Sequence, residues 1–168
     1  MSGFQISNLK SQIQDFGFWI FYLYLKRQTF LYFTFQIVKR HLVISKDPID
    51  EASLTASRRM SSGMGAVVCF SGVVRESEGS EKINAIDYEA FQKMAEHQFH
   101  LLFDQMEQRW PVESVRLVHR VGVVAVGEPS LWVEIIAPHR AEAFAACQWL
   151  IDEMKRVVPI WKKPLKTN

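Results

Sequence analysis

From about position 42 onward, apolar and polar residues follow two alternating periods, and the switches between them mark out the elements. Pro48, followed by Ile49, Asp50 and Glu51, opens a helix over 48–61, with acids in its first turn where the helix dipole favours them. The stretch 65–74 is rich in valine, with Cys69 and Phe70 among them, and reads as a buried strand with a bulge at Gly72. A polar loop over 76–82 contains Gly79. Residues 83–89 then set Ile83, Ala85 and Asp87 against Asn84, Ile86 and Tyr88, the two-residue period of a strand. Helical spacing takes over through Met94, Ala95, Phe99, Leu102, Phe103 and Met106, and Trp110-Pro111 ends it. Two more strands, 115–121 and 131–137, flank a connection with room for a short strand between Gly122 and Gly127. The last helix covers 140–157, its apolar stripe running through Phe144, Cys147, Leu150, Ile151 and Met154 to Val158, with Pro159 as the stop.

The order is helix, two strands, helix, two or three strands, helix. Strands joined by hairpins, with helices on one face, predict an α+β domain with a mixed, mainly antiparallel sheet. No GxGxxG, phosphate-binding loop, zinc spacing or internal repeat is present.

Composition divides the chain at about position 41. Of its 21 aromatic residues, 11 lie in 1–40, with five basic residues and a single acid, Asp15. That segment carries +4 of a total formal charge of +2, so the remainder is mildly acidic. Apolar runs at 16–25 and 29–38 are separated by Lys26-Arg27-Gln28, and each is shorter than the ~20 residues that cross a bilayer. Three readings stay open for 1–41: a membrane-surface anchor, an aromatic hairpin docked on the domain, or translated sequence upstream of a start at Val43. The last is the expectation, with 42–168 as the domain. The small net charge and the lack of a basic or aromatic stripe exclude nucleic acid as the expected partner. Cys69 and Cys147 stand 78 positions apart in apolar surroundings and read as buried, reduced thiols of a cytoplasmic protein.

The chemistry must come from polar residues that interrupt the pattern. Arg75 closes the first strand of the regular domain, His119-Arg120 closes the third, and His139-Arg140 sits where a strand meets the last helix. The tail holds Lys155, Arg156, Lys162, Lys163 and Lys166 with no acid after Glu153. Five cations without a counter-charge, near a helix start and two His-Arg pairs, suggest an anion pocket, while on composition alone a basic tail reads as a solvated end. His119 has two readings, a structurally satisfied half-buried imidazole or part of that pocket. His97 and His100, one helical turn apart, read as a solvated helix face.

Beyond composition and spacing, the segments FSGVVR (70–75), DYEAFQKMAE (87–96), HRVGVVAVGEPSLWVEIIAPHRAEAF (119–144) and IDEMKRVVPIWKK (151–163) resemble the large, catalytic subunit of molybdopterin synthase over about 42–163. The resemblance implies an α/β-hammerhead-like fold and a homodimer within a heterotetramer. Each protomer would take up a small ubiquitin-like sulfur carrier ending in Gly-Gly. It implies a sulfurtransferase of molybdenum cofactor biosynthesis, moving sulfur from the carrier's C-terminal thiocarboxylate to cyclic pyranopterin monophosphate, with no permanently bound cofactor and no metal. The family's substrate-binding positions match Val73, Val74, Arg75, His139, Arg140, Lys155 and Lys162, with Lys163 and Pro164 beside them. Lys155 and Lys162 correspond to its catalytic lysines. Lys155, Lys162 and His139 all remain candidates for moving protons. The alternative is a dimeric anion-binding module of the same fold without catalysis.

One geometric expectation follows. Arg140 and Lys155 are 15 residues apart on one helix, ~22 Å at its rise per residue, so a small substrate is expected to meet them from two different protomers. The family usually has an acid after the pair at 162–163 and a longer tail, where this chain has Pro164 and ends at Asn168.

Overall fold

The computed structural model describes residues 38–166, all within one compact unit. Of the segment 1–41 set apart in the sequence, 1–37 lies outside the described residues, while Val38 is buried in the core and Lys39, Arg40 and His41 belong to the first strand.

Strand β1 (Lys39–Ser45) is the first element among the described residues, and a strand was not anticipated there. It pairs in parallel with β5 (Ser114–Arg120), which runs antiparallel to β7 (Pro129–Ala137), itself antiparallel to β2 (Ala66–Val73). The main sheet is therefore ordered β1-β5-β7-β2. Strand alternation divides its side chains between two faces. Val115, Leu117, Leu131, Val133 and Ile135 point to one face, where helices α2 (Gln92–Arg109) and α3 (Arg140–Val157) cover them. Phe99, Phe103 and Met106 of α2 and Ala143, Cys147 and Leu150 of α3 complete this core. Trp110 leaves α2 in an extended conformation, as a residue before proline must, so the helix ends there.

The opposite face is smaller and partly polar. Short helix α1 (Glu51–Ala56) lies there, with Ile49 and Leu54 against Val118 and Trp132, where all helices had been expected on one face. Asp50 caps it, accepting from the Ser53 amide at 3.0 Å. The helix had been expected to reach position 61, but tertiary bonds draw the chain away. Arg58 and Arg116 both bind the fully buried Glu134, at 2.6 and 3.1 Å, and Ser61 donates from its amide and hydroxyl to buried Glu113. Burial opposes the charge of Glu113, yet the bonds from Ser61 and Lys39 outweigh it and hold the carboxyl below its ordinary range.

Cys69 lies on this second face, paired with Glu134. Its thiol is exposed, 3.3 Å from the Arg58 guanidinium, against the expectation that both cysteines would be buried. Cys147 is buried, and burial pushes its thiol up to about 11. Burial and Glu134 also raise Cys69, so neither thiol is activated.

A second sheet grows from the ends of the first. Strand β4 (Glu81–Ala90) is its centre, with β6 (Gly122–Ala125) on one side and β8 (Ile160–Lys166) on the other, both antiparallel. The expected polar loop at 76–82 is a tight hairpin: β3 (Ser77–Glu78) pairs with Glu81 and Lys82 around Gly79, whose φ of 63° favours glycine. Its core is the small cluster Val74, Ile83, Ile86 and Val124. Strand β8 went unforeseen because Lys162, Lys163 and Pro164 interrupt any apolar alternation. A proline fits here on an edge strand, where one row of amides needs no partner.

Candidate functional site

A cavity of about 390 Å³ opens where the two sheets and the end of α3 meet. Its wall from the main sheet is Phe70, Gly72 and Val73 of β2, His119 of β5, and Ser130 and Leu131 of β7. The second sheet adds Tyr88 and Lys162, which face each other across the β4–β8 ladder. The last turn of α3 adds Met154 and Lys155. Gly72 has a local reason: a Cβ there would come within 3.3 Å of both Leu131 and Phe70, crowding the pocket wall. The expected bulge falls at this point, as a register shift between Gly72 and Val73.

The sequence-derived residues divide into three groups. Val73, Lys155 and Lys162 line the cavity together. Arg75 stands at its margin, exposed, and shares Glu78 with Lys162: the carboxylate accepts from the Lys162 ammonium and lies 3.9 Å from the Arg75 guanidinium. Val74 is buried in the small core instead, its backbone bonded to Glu128 and Gly127. Lys163 and Pro164 follow on β8, opposite Asp87 and Ile86, and neither lines the cavity. His139 and Arg140 are exposed at the other end of α3, the first as its N-cap, and they too lie away from it.

The basic tail is less free than the sequence suggested. Lys162 pairs with Glu78, Lys166 with Glu81 at 2.7 Å, and Arg156 with Glu153 at 2.9 Å. Two of those acids come from the β3–β4 hairpin, which β8 meets only in the folded chain. Among the described residues, Lys155 makes no ion pair, and no acid lines the cavity. Lys162 holds the Glu78 carboxyl below its ordinary value, so the hairpin keeps its negative charge beside the site.

Two polar lining residues were unassigned or ambiguous in the sequence. Tyr88 stands in the segment 87–96 that carries the resemblance but was given no role there, and it shares a face of β4 with buried Ile86. His119 follows Leu117 on the inward face of β5 and is only 5% exposed. Its Nδ1 lies 2.9 Å from the Arg120 carbonyl oxygen, and its ring meets Tyr88 edge-on at 5.5 Å between centroids. Burial lowers its pKa, so the ring is neutral at neutral pH.

Among known proteins, the family model described as MoaE protein matches residues 44–157. The chain belongs to the MoaE family. Its relatives include the molybdopterin synthase catalytic subunits of Pyrococcus abyssi and Thermoplasma volcanium. The first is 37% identical over 115 residues, covering 68% of this chain and 76% of that one. The second is 36% identical over 104 residues, covering 62% and 76%. The MoaE fold is also shared with solved structures. Molybdopterin synthase from Staphylococcus aureus superimposes with a TM-score of 0.67 at 31% identity, over 76% of this chain and 91% of that one. A complex of subunits 1 and 2 of the molybdopterin-converting factor from Helicobacter pylori gives 0.58 at 18% identity, over 77% and 90%, and shares the fold. The match ends at Val157, so Lys155 falls inside it, whereas Lys162 and strand β8 lie beyond.

Proposed function

We propose that the cavity takes the C-terminal thiocarboxylate of a small ubiquitin-like carrier ending in Gly-Gly and delivers its sulfur to cyclic pyranopterin monophosphate, forming the dithiolene of molybdopterin. Membership of the MoaE family carries the class of activity, a molybdopterin synthase catalytic subunit. The observation that supports the site is the convergence of Lys155 and Lys162 on one cavity without an acid in its lining. The substrate is an anionic cyclic phosphate, and cations suit both it and the monoester left when the ring opens. A thiocarboxylate is already a nucleophile, so the site has to place it and move protons rather than supply a cysteine. That agrees with two thiols whose pKa values are both raised.

The same reading assigns His139 and Arg140 to a neighbouring protomer's cavity. They sit at the far end of α3 from Lys155, ~22 Å along the axis. A homodimer that brings one protomer's α3 start to the other's α3 end makes a composite site. Among the described residues no helix is long and apolar enough to cross a membrane, and the proposed setting is the cytoplasm, with a heterotetramer of two catalytic and two carrier subunits.

The test is turnover by the full chain with a thiocarboxylated carrier and cyclic pyranopterin monophosphate, reading molybdopterin. Product from the native chain and turnover lower by ~10³-fold in Lys155→Ala are expected. Mixing inactive Lys155→Ala and Arg140→Ala chains should restore about a quarter of the wild-type rate, since half of random dimers are hetero and each then has one intact site. No recovery from subunits shown to exchange would place both residues in one protomer's site. Carrier binding without product from the native chain would instead favour a non-catalytic module.

A further inference from the structure

His119 combines burial with an unused nitrogen. A carbonyl oxygen can only accept, so the 2.9 Å contact with Arg120 puts the ring proton on Nδ1. In the neutral ring Nε2 is then a bare lone pair. Among the described residues it has no hydrogen-bond partner, yet the buried side-chain atoms lacking partners are Arg120 Nε and Glu142 Oε2 alone. Nε2 is therefore open to space, and the space that His119 lines is the cavity.

Around it, Lys155 and Lys162 have ammonium groups that can only donate, while the Ser130 hydroxyl gives its proton to the Gly72 carbonyl oxygen at 3.2 Å and keeps only lone pairs free. Tyr88 presents a ring edge or face to the imidazole and fixes its plane. A ligand with only an anionic group would satisfy the lysines and leave Nε2 dry and unpaired, at a cost in binding. A ligand with an anionic end and an N–H or O–H on its ring portion would satisfy both.

We infer that His119 is a substrate-recognition residue, accepting through Nε2 a hydrogen bond from a ring N–H or O–H of the substrate while its anionic end lies against Lys155 and Lys162. This rests on the proposed cavity assignment and adds the polarity of the ligand's second end. The charged and titratable groups around His119 are Tyr88 from β4, Lys155 from α3, Lys162 from β8, and Arg120 on its own strand, which pairs with Glu128 at 2.8 Å.

Three readouts on the full chain test it. Nitrogen-15 NMR of the histidines near neutral pH should show His119 as the neutral Nδ1–H form, with Nε2 shifting on addition of cyclic pyranopterin monophosphate. An Nε2–H tautomer, an imidazolium, or an unmoved Nε2 overturns the inference. In turnover, His119→Leu should raise KM by ~10-fold, the scale of one lost hydrogen bond, with a smaller change in kcat. His119→Gln, whose amide oxygen can stand near the Nε2 position, should recover most of that loss. The native acid limb of kcat/KM, where the imidazole protonates, should disappear in His119→Gln. A purely structural histidine would leave that limb in place, and an unchanged KM in His119→Leu would overturn the proposal. If the native chain made no product but Nε2 still shifted with the substrate, recognition would stand and the catalytic reading would fall.

Discussion

The two sheets of this protein are built on different plans. The main sheet is covered by α2 and α3 over a continuous core that includes Phe99, Phe103, Leu117, Val133 and Leu150, all at or near zero exposure. The second sheet closes over four residues, Val74, Ile83, Ile86 and Val124, and carries ion pairs on its surface. Burial of apolar area scales with stabilisation, so the first sheet holds the fold. The second contributes side chains that keep their charge in water. The cavity lies along the seam, where His119 comes from the rigid sheet and Lys162 from the polar one. The seam thus joins an apolar wall, which limits water, to cationic groups that keep their charge.

The comparison breaks most sharply if chemistry and stability separate under mutation. Lys155→Ala is expected to lower molybdopterin turnover by ~10³-fold, within the range of a lost proton-transfer group, with an unchanged urea midpoint. A comparable loss of stability would mean that the seam is part of the core. In the main core, Phe103→Ala should lower unfolding free energy by about 3–5 kcal/mol, measured by urea titration, because the fully enclosed ring leaves a cavity. On the other face of the same sheet, Glu134→Gln removes the charge that Arg58 and Arg116 share and should cost about 3 kcal/mol. A near-neutral result would show that solvent already screens both guanidinium groups.

A pH titration sharpens the contrast further. His119 has a folded pKa below its ordinary 6.5, so between those values the unfolded chain binds more protons than the folded one. Its contribution is complete above about pH 6.5 and is lost as pH falls through the folded value. Urea midpoints should decline across that window and decline less in His119→Gln. The smallest effect belongs to the second sheet. Glu78→Gln breaks a solvent-screened pair with Lys162 and should change stability by less than about 1 kcal/mol. A larger loss would make the β3–β4 hairpin a structural anchor of β8 rather than a charged margin of the site.

Several features were legible along the chain because they are local. The periods of 83–89 and 140–157 gave β4 and α3 nearly to their ends, and Trp110-Pro111 gave the end of α2. The motifs around Arg75, His139 and Lys155 carried the family, which the matched residues 44–157 establish. Other features needed a distant partner. Helix α1 stops at Ala56 because Arg58 and Ser61 reach Glu134 and Glu113, more than 50 positions away. Strand β8 exists because β4 offers it an edge, and the pairing sets Lys162 opposite Tyr88 and within reach of Glu78.

The sequence by itself determined most elements from the first helix to the last, the apolar face of each long helix, and which cations matched a family. Those properties depend on neighbours within a turn or a strand, where side-chain periodicity is visible. Tertiary structure alone decided which acids Lys162 and Lys166 found, which side chains share the cavity with His119, and which end of α3 faces that cavity. These ion pairs and pocket walls depend on groups brought together across the whole chain, and no local period encodes those meetings.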